Sequence, residues 1–320
     1  FERRLHLYHD RYIFNRGLGD LVDWPPGSFT SGGQGERDGH EMLPINTVVN
    51  AFHYRALVLM SRIASILERE EDARDFEERS RQVKESINAV LFDPERGLYI
   101  DGEGSDHASL HSNMFPLAFG LAPEGRREEV VSFVKSRGMA CSVYGAQYLL
   151  EALYLNGEAE HALDLLTARH ERSWWNMLRV GSTMTLEAWD WKYKNNLDWN
   201  HAWGAAPANI IPRFLMGIRP LTPGFSKVLV RPQPGTLGTA EMKCPTPRGP
   251  VRVEFENRPE GPFSVTLELP AEISARVDLP LGRPGDSRVI VDGTPREGTI
   301  TDGFVTVDPI GPGSHTLHRG

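Results

Sequence analysis

The hydrophobic repeat of this chain changes near Arg219, and that change limits its architecture more than any other feature. Before Arg219, apolar residues recur at spacings of three and four, as in NTVVNAFHYRALVLMSRIASILERE at residues 46–70, which is typical of α-helices. After it, apolar runs are short and alternating, as in KVLVRP, VRVEFE and FSVTLELP. Short alternating runs with turn residues between them predict an antiparallel β-sandwich. We therefore expect two domains, a helical one at 1–218 and a β-sandwich at 219–320.

The helical part is predicted to be built from paired helices. Residues 46–70 carry an apolar stripe that predicts a long, largely buried helix, and EDARDFEERSRQVKESINAVLFD predicts its solvent-facing partner. The stripe of the first helix comprises Val49, Phe52, Ala56, Leu59, Ile63 and Ile66, and that of the second Phe76, Val83, Ile87 and Val90. Long connections rich in Gly, Asp and Trp separate the pairs. A toroid of helical hairpins, with these loops forming its mouth, fits this order.

Charge and composition exclude several classes of protein. The net charge is -8, and because 219–320 carry 12 basic and 12 acidic residues, the acidic excess lies in 1–218. An acidic helical part argues against a nucleic-acid partner. No apolar run approaches the roughly 20 residues that span a bilayer, so no membrane partner is expected. Two distant cysteines support neither a disulfide framework nor a thiolate metal site. A homo-oligomer and either a cytoplasmic or a secreted location stay open.

Residues 181–204, GSTMTLEAWDWKYKNNLDWNHAWG, concentrate four of the seven tryptophans with three acids and one histidine. A sugar ring offers an apolar face and a rim of hydroxyl groups, which flat indole rings and short polar groups can bind. A single tryptophan more often fills a core. Here, however, the four tryptophans lie close together beside acids, in a connection rich in Asn. This clustering favours a sugar site.

Glu187 is the first candidate for a catalytic carboxylate. Glycoside hydrolysis requires two carboxyl groups, one protonated and one ionised. Glu187 follows the extended TMTL and precedes aromatic residues, so it is predicted to be the ionised base; a surface Glu at a helix start is the alternative. Asp190 and Asp198 are weaker candidates. His201 is predicted to donate to a substrate hydroxyl, with a capping or core histidine as the alternative.

These motifs resemble the bacterial alpha-L-rhamnosidases of glycoside hydrolase family 78 over essentially the whole chain. The resemblance rests on STMTLEAWD, NHAWGAAPANIIPRFLMGIRPL, CPTPRGPVRVEF and LVDWPPG. It implies an (α/α)6 barrel followed by a β-sandwich, an inverting mechanism that acts on terminal alpha-L-rhamnosides, and no cofactor. It further implies that Glu187 is the general base. The residues expected to bind the sugar are Asp23, Trp24, Trp189, His201 and Trp203.

Two departures from the family pattern affect this expectation. The family's general acid lies in an Arg-Asp-Glu-Arg type segment, and ERDGHE at 36–41 has acids without that pattern. About eight helices are predicted where a full toroid has twelve, and FERRLHLYHDRYIF opens the chain as if in mid-helix. We therefore expect the first hairpins and the general acid to be missing from this chain. The chain by itself would then be a poor enzyme or a sugar binder, and if it is part of a longer polypeptide, that polypeptide is the enzyme. The second departure is a loop between Glu187 and His201 that is shorter than in many members of the family, together with DLVD at residues 20–23 in place of Gly-Asp. It leaves the preferred sugar open.

Other motifs in the sequence give weaker indications of function. His107 and His111 stand four residues apart, but no third ligand is evident, so no metal site is predicted. Cys141 lacks a partnered histidine and is predicted to fill the core. The alternatives to a rhamnosidase are a non-catalytic carbohydrate-binding protein and another (α/α)6 hydrolase, such as a trehalase-like or fucosidase-like enzyme. Only the rhamnosidase should hydrolyse rhamnosides.

Overall fold

The computed structural model describes residues 21–24, 36–194, 196–259, 261–281 and 287–319. These residues form two compact units. The first comprises the described residues up to Asn156 together with Leu165–Ala206, and the second comprises Gly157–Asp164 together with the described residues from Pro207 onward. Among the described residues, no helix combines the length and the apolarity needed to cross a bilayer.

Eight α-helices and one short hairpin lie between residues 47 and 210 of the described chain. The helices are α1 (Thr47–Ile66), α2 (Glu70–Val90), α3 (Leu110–Phe119), α4 (Arg127–Arg137), α5 (Gly145–Leu155), α6 (Ala159–Leu166), α7 (Trp174–Arg179) and α8 (Ala206–Ile210), which continues as a π-helical turn (Ile211–Leu215). The hairpin pairs β1 (Phe92–Asp93) with β2 (Leu98–Tyr99). The two predicted helices of the first pair form as α1 and α2, whereas the sequence pattern did not predict α3. The helix expected in FERRLHLYHDRYIF lies outside the described residues.

Helix α1 begins where Asn46 caps it, because the Asn46 side chain accepts from the backbone N–H groups of Val48 and Val49. The prediction that α1 is largely buried is wrong for its second half. Leu59 and Ile63 are 41% and 48% exposed. Leu57 and Ala64 are buried instead, since α1 packs against α2 and α3. A periodic stripe shows that a helix forms, but burial depends on which neighbours cover each face.

Helix α3 forms the centre of the helical unit. Ser109 and Ser112 form a reciprocal capping box at its start, and Gly120 ends it in the left-handed conformation at φ 74°. Every residue from Leu110 to Leu117 is buried. Its Phe115 ring packs on Tyr148 of α5, with ring centroids 4.9 Å apart. Because α3 has no solvent face, its polar side chains must find partners inside the protein.

Two sheets form most of the second unit, which also contains most of α6 and α8. Their strands are β3 (Ile218–Pro220), β4 (Lys227–Val230), β5 (Thr239–Cys244), β6 (Val251–Glu256), β7 (Ser264–Leu269), β8 (Ser274–Pro280), β9 (Arg288–Val291), β10 (Thr294–Glu297), β11 (Thr299–Thr301), β12 (Phe304–Ile310) and β13 (Gly313–Arg319). One sheet has the order β10-β9-β13-β7-β6-β5 and the other β11-β12-β8-β4-β3.

The period-two pattern behaves as predicted in β6, where Val251, Val253 and Phe255 are buried. The expectation of a wholly antiparallel sandwich needs one correction. Strands β4 and β8 pair in parallel, with Val228 opposite Ala275. The second sheet is therefore mixed. Alternation predicts a half-buried strand but not the direction of its neighbour, because either pairing buries the same face.

Candidate active site

Two extended segments pair to bring Glu187 and His201 together. The His201 backbone N–H donates to the Thr185 carbonyl oxygen at 2.8 Å, and the Glu187 backbone N–H donates to the Asp198 carbonyl oxygen at 3.1 Å. The Thr185 hydroxyl donates to the His201 carbonyl oxygen at 2.7 Å. Residues 14 positions apart in sequence therefore face each other. This pairing is irregular loop structure, although the sequence indicated an extended TMTL before Glu187.

The Glu187 carboxyl group is buried and surrounded by groups that stabilise its charge. Lys194 Nζ lies 2.8 Å from Glu187 Oε2, and the Asp198 backbone N–H donates to the same oxygen at 3.2 Å. Burial acts to raise the pKa of Glu187, but the hydrogen bonds from Lys194 and Asp198 and the charges of Lys194 and His201 outweigh it, so the pKa lies below its usual value. Glu187 is an ionised carboxylate at neutral pH.

His201 and Trp203 form the more open side of this cluster. The Trp203 backbone N–H donates to His201 Nδ1 at 3.2 Å. Nδ1 is thus the unprotonated nitrogen, and in the neutral ring Nε2 carries the proton and can donate. The His201 and Trp203 rings contact each other edge to face at 4.8 Å, and Trp203 is 41% exposed. This geometry offers an aromatic face beside an N–H donor.

Gly204 is required by the close approach of the two segments. A Cβ at residue 204 would lie 2.6 Å from the Leu186 carbonyl oxygen, closer than real Cβ atoms come to any atom. The Gly204 carbonyl oxygen also accepts from Trp174 Nε1 at 2.6 Å. A glycine at this position therefore lets the His201 turn lie directly against the Glu187 segment.

Asp23 is fully buried, and protein groups satisfy its carboxylate. His111 Nε2 lies 2.7 Å from Asp23 Oδ2, the Ser142 backbone N–H donates to the same oxygen at 2.9 Å, and the Ser142 hydroxyl donates to Oδ1. The Trp24 backbone N–H also donates to Asp23 Oδ1, at 2.9 Å. Asp23 therefore fixes the position of Trp24, which is half-buried, and has no surface of its own for a ligand in this structure.

Trp189 is also fully buried. Its indole N–H donates to the Cys141 carbonyl oxygen at 2.7 Å, and its ring contacts the Trp174 ring edge to face at 5.0 Å. The expected contact between Trp189 and a sugar remains a prediction. What the geometry shows is that Trp189 ties the Glu187 segment to the loop that carries Ser142.

The predicted residues belong to one contact network. Tyr144 follows Ser142 by two residues, and the Tyr144 ring contacts the Trp203 ring at 5.4 Å. Trp203 contacts His201, whose ring nitrogen lies within 4.8 Å of a Glu187 oxygen. The Asp23–Ser142 pair is thus linked through Tyr144 and Trp203 to the Glu187 cluster. Helices α3 and α5 supply the rigid support, since His111 lies in α3 and Tyr144 caps α5.

Glu187, Asp198 and His201 place ligand-type atoms within 4.8 Å of one another, a spacing that could hold a metal ion. Two observations oppose that use. The Lys194 ammonium group already lies against Glu187 Oε2, and the His201 nitrogen with the free lone pair accepts from the Trp203 backbone. Cation binding would need both contacts to break. The arrangement fits hydrogen bonding to a neutral ligand better.

The sequence did not reveal the positions of two ionisable residues, Lys194 and Glu36. Lys194 follows Glu187 by seven residues in an irregular loop, and no motif marks it as the partner of a carboxylate. Glu36 has a fully buried side chain whose two oxygens have no hydrogen-bond partner, with Arg172 Nη2 3.9 Å from Oε1. Burial, opposed by Arg172 and Lys192 and reinforced by Asp23, raises the pKa of Glu36 to about 8. Glu36 is thus mainly protonated at pH 7.

Most of the other residues that the sequence singled out lie outside the Glu187–His201–Trp203 cluster. Asp190 is buried, accepts from Asn176 Nδ2 at 3.0 Å and caps the short turn after it, while the Asp198 side chain is exposed. His107 and His111 contact different acids, Asp101 and Asp23, so their spacing does not create a shared site. Cys141 is fully buried, as predicted, and burial raises the pKa of its thiol.

Comparison with known proteins decides the family. Residues 4–215 match the family described as the bacterial alpha-L-rhamnosidase 6 hairpin glycosidase domain, and residues 217–290 match the bacterial alpha-L-rhamnosidase C-terminal domain. The first match covers well over half of the chain. The chain belongs to the bacterial alpha-L-rhamnosidase family. The resemblance seen in the sequence motifs is confirmed.

Individual relatives agree with this assignment. The chain is 26% identical over 287 residues to an alpha-L-rhamnosidase of Alteromonas sp. (strain LOR), which covers 84% of this chain and 30% of that protein. It is 27% identical to a family 78 rhamnosidase of Bacillus sp. GL1, with a TM-score of 0.66 over 78% of this chain and 28% of the other. The rhamnose complex of the Streptomyces avermitilis enzyme, 21% identical, gives a TM-score of 0.72 over 90% of this chain and 28% of the other and supports the fold. The chain therefore spans less than a third of the length of these alpha-L-rhamnosidases.

Proposed function

We propose that this chain supplies the general base and part of the sugar site for the inverting hydrolysis of terminal alpha-L-rhamnosides. The observation that carries the proposal is the environment of Glu187. A general base must be ionised before it can accept a proton from water. Lys194, the Asp198 backbone N–H and the nearby His201 all favour the carboxylate form.

The sugar would bind beside this carboxylate. Trp203, 41% exposed, offers an indole face to the apolar side of the deoxysugar ring, and His201 Nε2–H donates to a hydroxyl group. Trp24 is proposed as a second aromatic contact. Asp23 and Trp189 act as positioning residues, because their polar atoms already bond the Ser142 loop.

In an inverting reaction, a water molecule lies between the base and the anomeric carbon, and an acid on the opposite side protonates the leaving oxygen. The two carboxyl groups stand about 6.5–9.5 Å apart. The sequence offers no residue that matches the family's acid, so the proposal gives this chain the base alone. Without general acid assistance, the turnover of this chain should be about 10²- to 10⁴-fold lower than that of an enzyme with both carboxyl groups.

The test separates binding from catalysis. Quenching of tryptophan fluorescence by L-rhamnose measures binding, and release of nitrophenol from a nitrophenyl alpha-L-rhamnoside measures turnover. Glu187→Gln should bind rhamnose with an affinity within a few-fold of that of the unsubstituted chain. Its turnover should be lower than that of the unsubstituted chain by at least about 10³-fold. Glu128→Gln, on the exposed face of α4, is the matched control.

Retained turnover in Glu187→Gln would reject the assignment of the base. If the unsubstituted chain binds rhamnose but releases no nitrophenol, the carbohydrate-binding alternative is favoured instead. Turnover of other glycosides but not of rhamnosides would favour another (α/α)6 hydrolase.

A further inference from the structure

A cleft of about 1040 Å³ opens at one end of the β-sandwich. The ends of several strands from both sheets line it, including the starts of β7 and β12 and the ends of β8 and β13. Its lining residues all belong to the second compact unit, which contains none of the Glu187 cluster. We call it the end cleft. A volume of this order suits a small organic ligand of a few rings.

Two phenyl rings form apolar walls of the end cleft. Phe263 stacks on the buried Phe255 ring, with centroids 6.0 Å apart and planes at 23°. Phe304 carries the Arg231 guanidinium group over its ring at 4.6 Å. Both phenyl rings are half-buried and line the cleft. Each ring therefore has one protein contact of its own and also belongs to the lining of the cleft.

Three polar residues of the lining, Asn257, His318 and Asp302, offer acceptor atoms to a ligand. Asn257 Nδ2 uses both its hydrogens, donating to the carbonyl oxygens of Gly235 at 3.1 Å and Leu237 at 3.2 Å. Its Oδ1 is left to accept. His318 Nδ1 lies 2.9 Å from the Arg319 carbonyl oxygen, so in the neutral ring Nδ1 carries the proton and Nε2 accepts. The exposed carboxylate of Asp302 adds further acceptor oxygens.

The charged residues of the lining are Asp302 and Arg319, whose charges are opposite. An anion would meet three acceptor groups, one of them the Asp302 carboxylate, which disfavours it. A ligand with several O–H donors and flat apolar ring faces satisfies the lining best. Carbohydrates have both properties, since their hydroxyl groups donate and their C–H faces pack on aromatic rings.

We propose that the end cleft binds a neutral oligosaccharide of two or three sugar rings, with Asn257, Asp302 and His318 accepting from its hydroxyl groups. The site is non-catalytic and lies in the compact unit that does not contain Glu187. It would hold a glycan independently of the reaction, so it does not rest on the function proposed for the Glu187 site.

The experiment uses the complete chain and two neutral probes, a rhamnosyl-glucose disaccharide and xylotriose, with trigalacturonate as the anionic comparison. Titration calorimetry detects binding at either site. Tryptophan fluorescence reports the helical unit alone, because all seven tryptophans lie between residues 24 and 203. Binding at the end cleft should give heat with a Kd of about 1 mM or lower, without a matching fluorescence change for at least one neutral probe.

Asp302→Asn has a close control in Asp292→Asn. Both aspartates have φ of 51° and precede a glycine at φ 78° in a hairpin turn, but only Asp302 is among the residues lining the cleft. Asparagine tolerates this conformation, so both variants should fold. Asp302→Asn replaces an ionised acceptor by an amide and should weaken the calorimetric affinity about tenfold, as should His318→Leu, which removes an acceptor. Asp292→Asn should bind as the parent does.

Three results would overturn the proposal: no calorimetric binding of either neutral probe at about 10 mM, tighter binding of trigalacturonate than of both neutral probes, or equal losses in Asp302→Asn and Asp292→Asn. Failure of rhamnose quenching at the Glu187 site would count against the proposed function and leave the end-cleft result unaffected.

Discussion

Replacing Glu36 by glutamine should remove a dependence of stability on pH that this one carboxyl group creates. Glu36 is buried, lacks a hydrogen-bond partner and has a pKa of about 8 instead of 4.5. Between these values the folded protein keeps the Glu36 proton, whereas the unfolded chain has lost it. The unfolded state then binds fewer protons, so the free energy of unfolding falls as pH rises from about 4.5 to about 8.

The size of the effect follows from the two pKa values. At 1.36 kcal/mol per pH unit, the span from 4.5 to about 8 corresponds to about 5 kcal/mol lost by pH 8, and to about 3 kcal/mol lost by pH 7. The groups facing Glu36 are Arg172, Asp23, Lys192 and the Cys141 thiol. Glutamine is neutral throughout, so its unpaired amide lowers stability by an amount that does not change with pH.

Urea unfolding followed by tryptophan fluorescence is the suitable assay, because the tryptophans lie in the helical unit that contains Glu36. The unfolding free energy of Glu36→Gln minus that of the parent should rise by several kcal/mol between pH 4.5 and 8. Glu128→Gln should show no such rise. A flat difference for Glu36→Gln would show that Glu36 is ionised in the folded protein and would refute the reasoning.

Two other changes test the geometry around Glu187. Lys194→Met removes the ammonium group that favours the Glu187 carboxylate, so the pKa of Glu187 should rise and the acidic limb of the kcat/KM profile should move to higher pH; an unmoved limb would rule out Glu187 as the base it reports. Gly204→Ala places a Cβ 2.6 Å from the Leu186 carbonyl oxygen and should lower the unfolding free energy by about 2 kcal/mol in the same urea assay. An unchanged unfolding free energy would contradict the close approach of the two segments.

Much of the fold could be predicted from the sequence. The change from helical to period-two spacing near Arg219 predicted helices followed by a sandwich, because each periodicity reports the local geometry of one element. The acids, tryptophans and His201 concentrated in residues 181–204 indicated the Glu187 region as a candidate site. The motifs around Glu187 and in NHAWGAAPANIIP were specific enough to indicate the family before any coordinates.

The tertiary structure decided what local pattern cannot encode. In the folded chain Leu59 and Ile63 are exposed, Asp23 and Trp189 are buried, and Lys194 lies against Glu187. The carboxyl oxygens of Glu36 are buried without a hydrogen-bond partner. Exposure and protonation depend on which distant residues come together, and a carboxyl group is stabilised or neutralised by its neighbours in space. The sequence therefore determined the elements and the chemical groups, and the packing decided which of those groups are charged, paired or accessible.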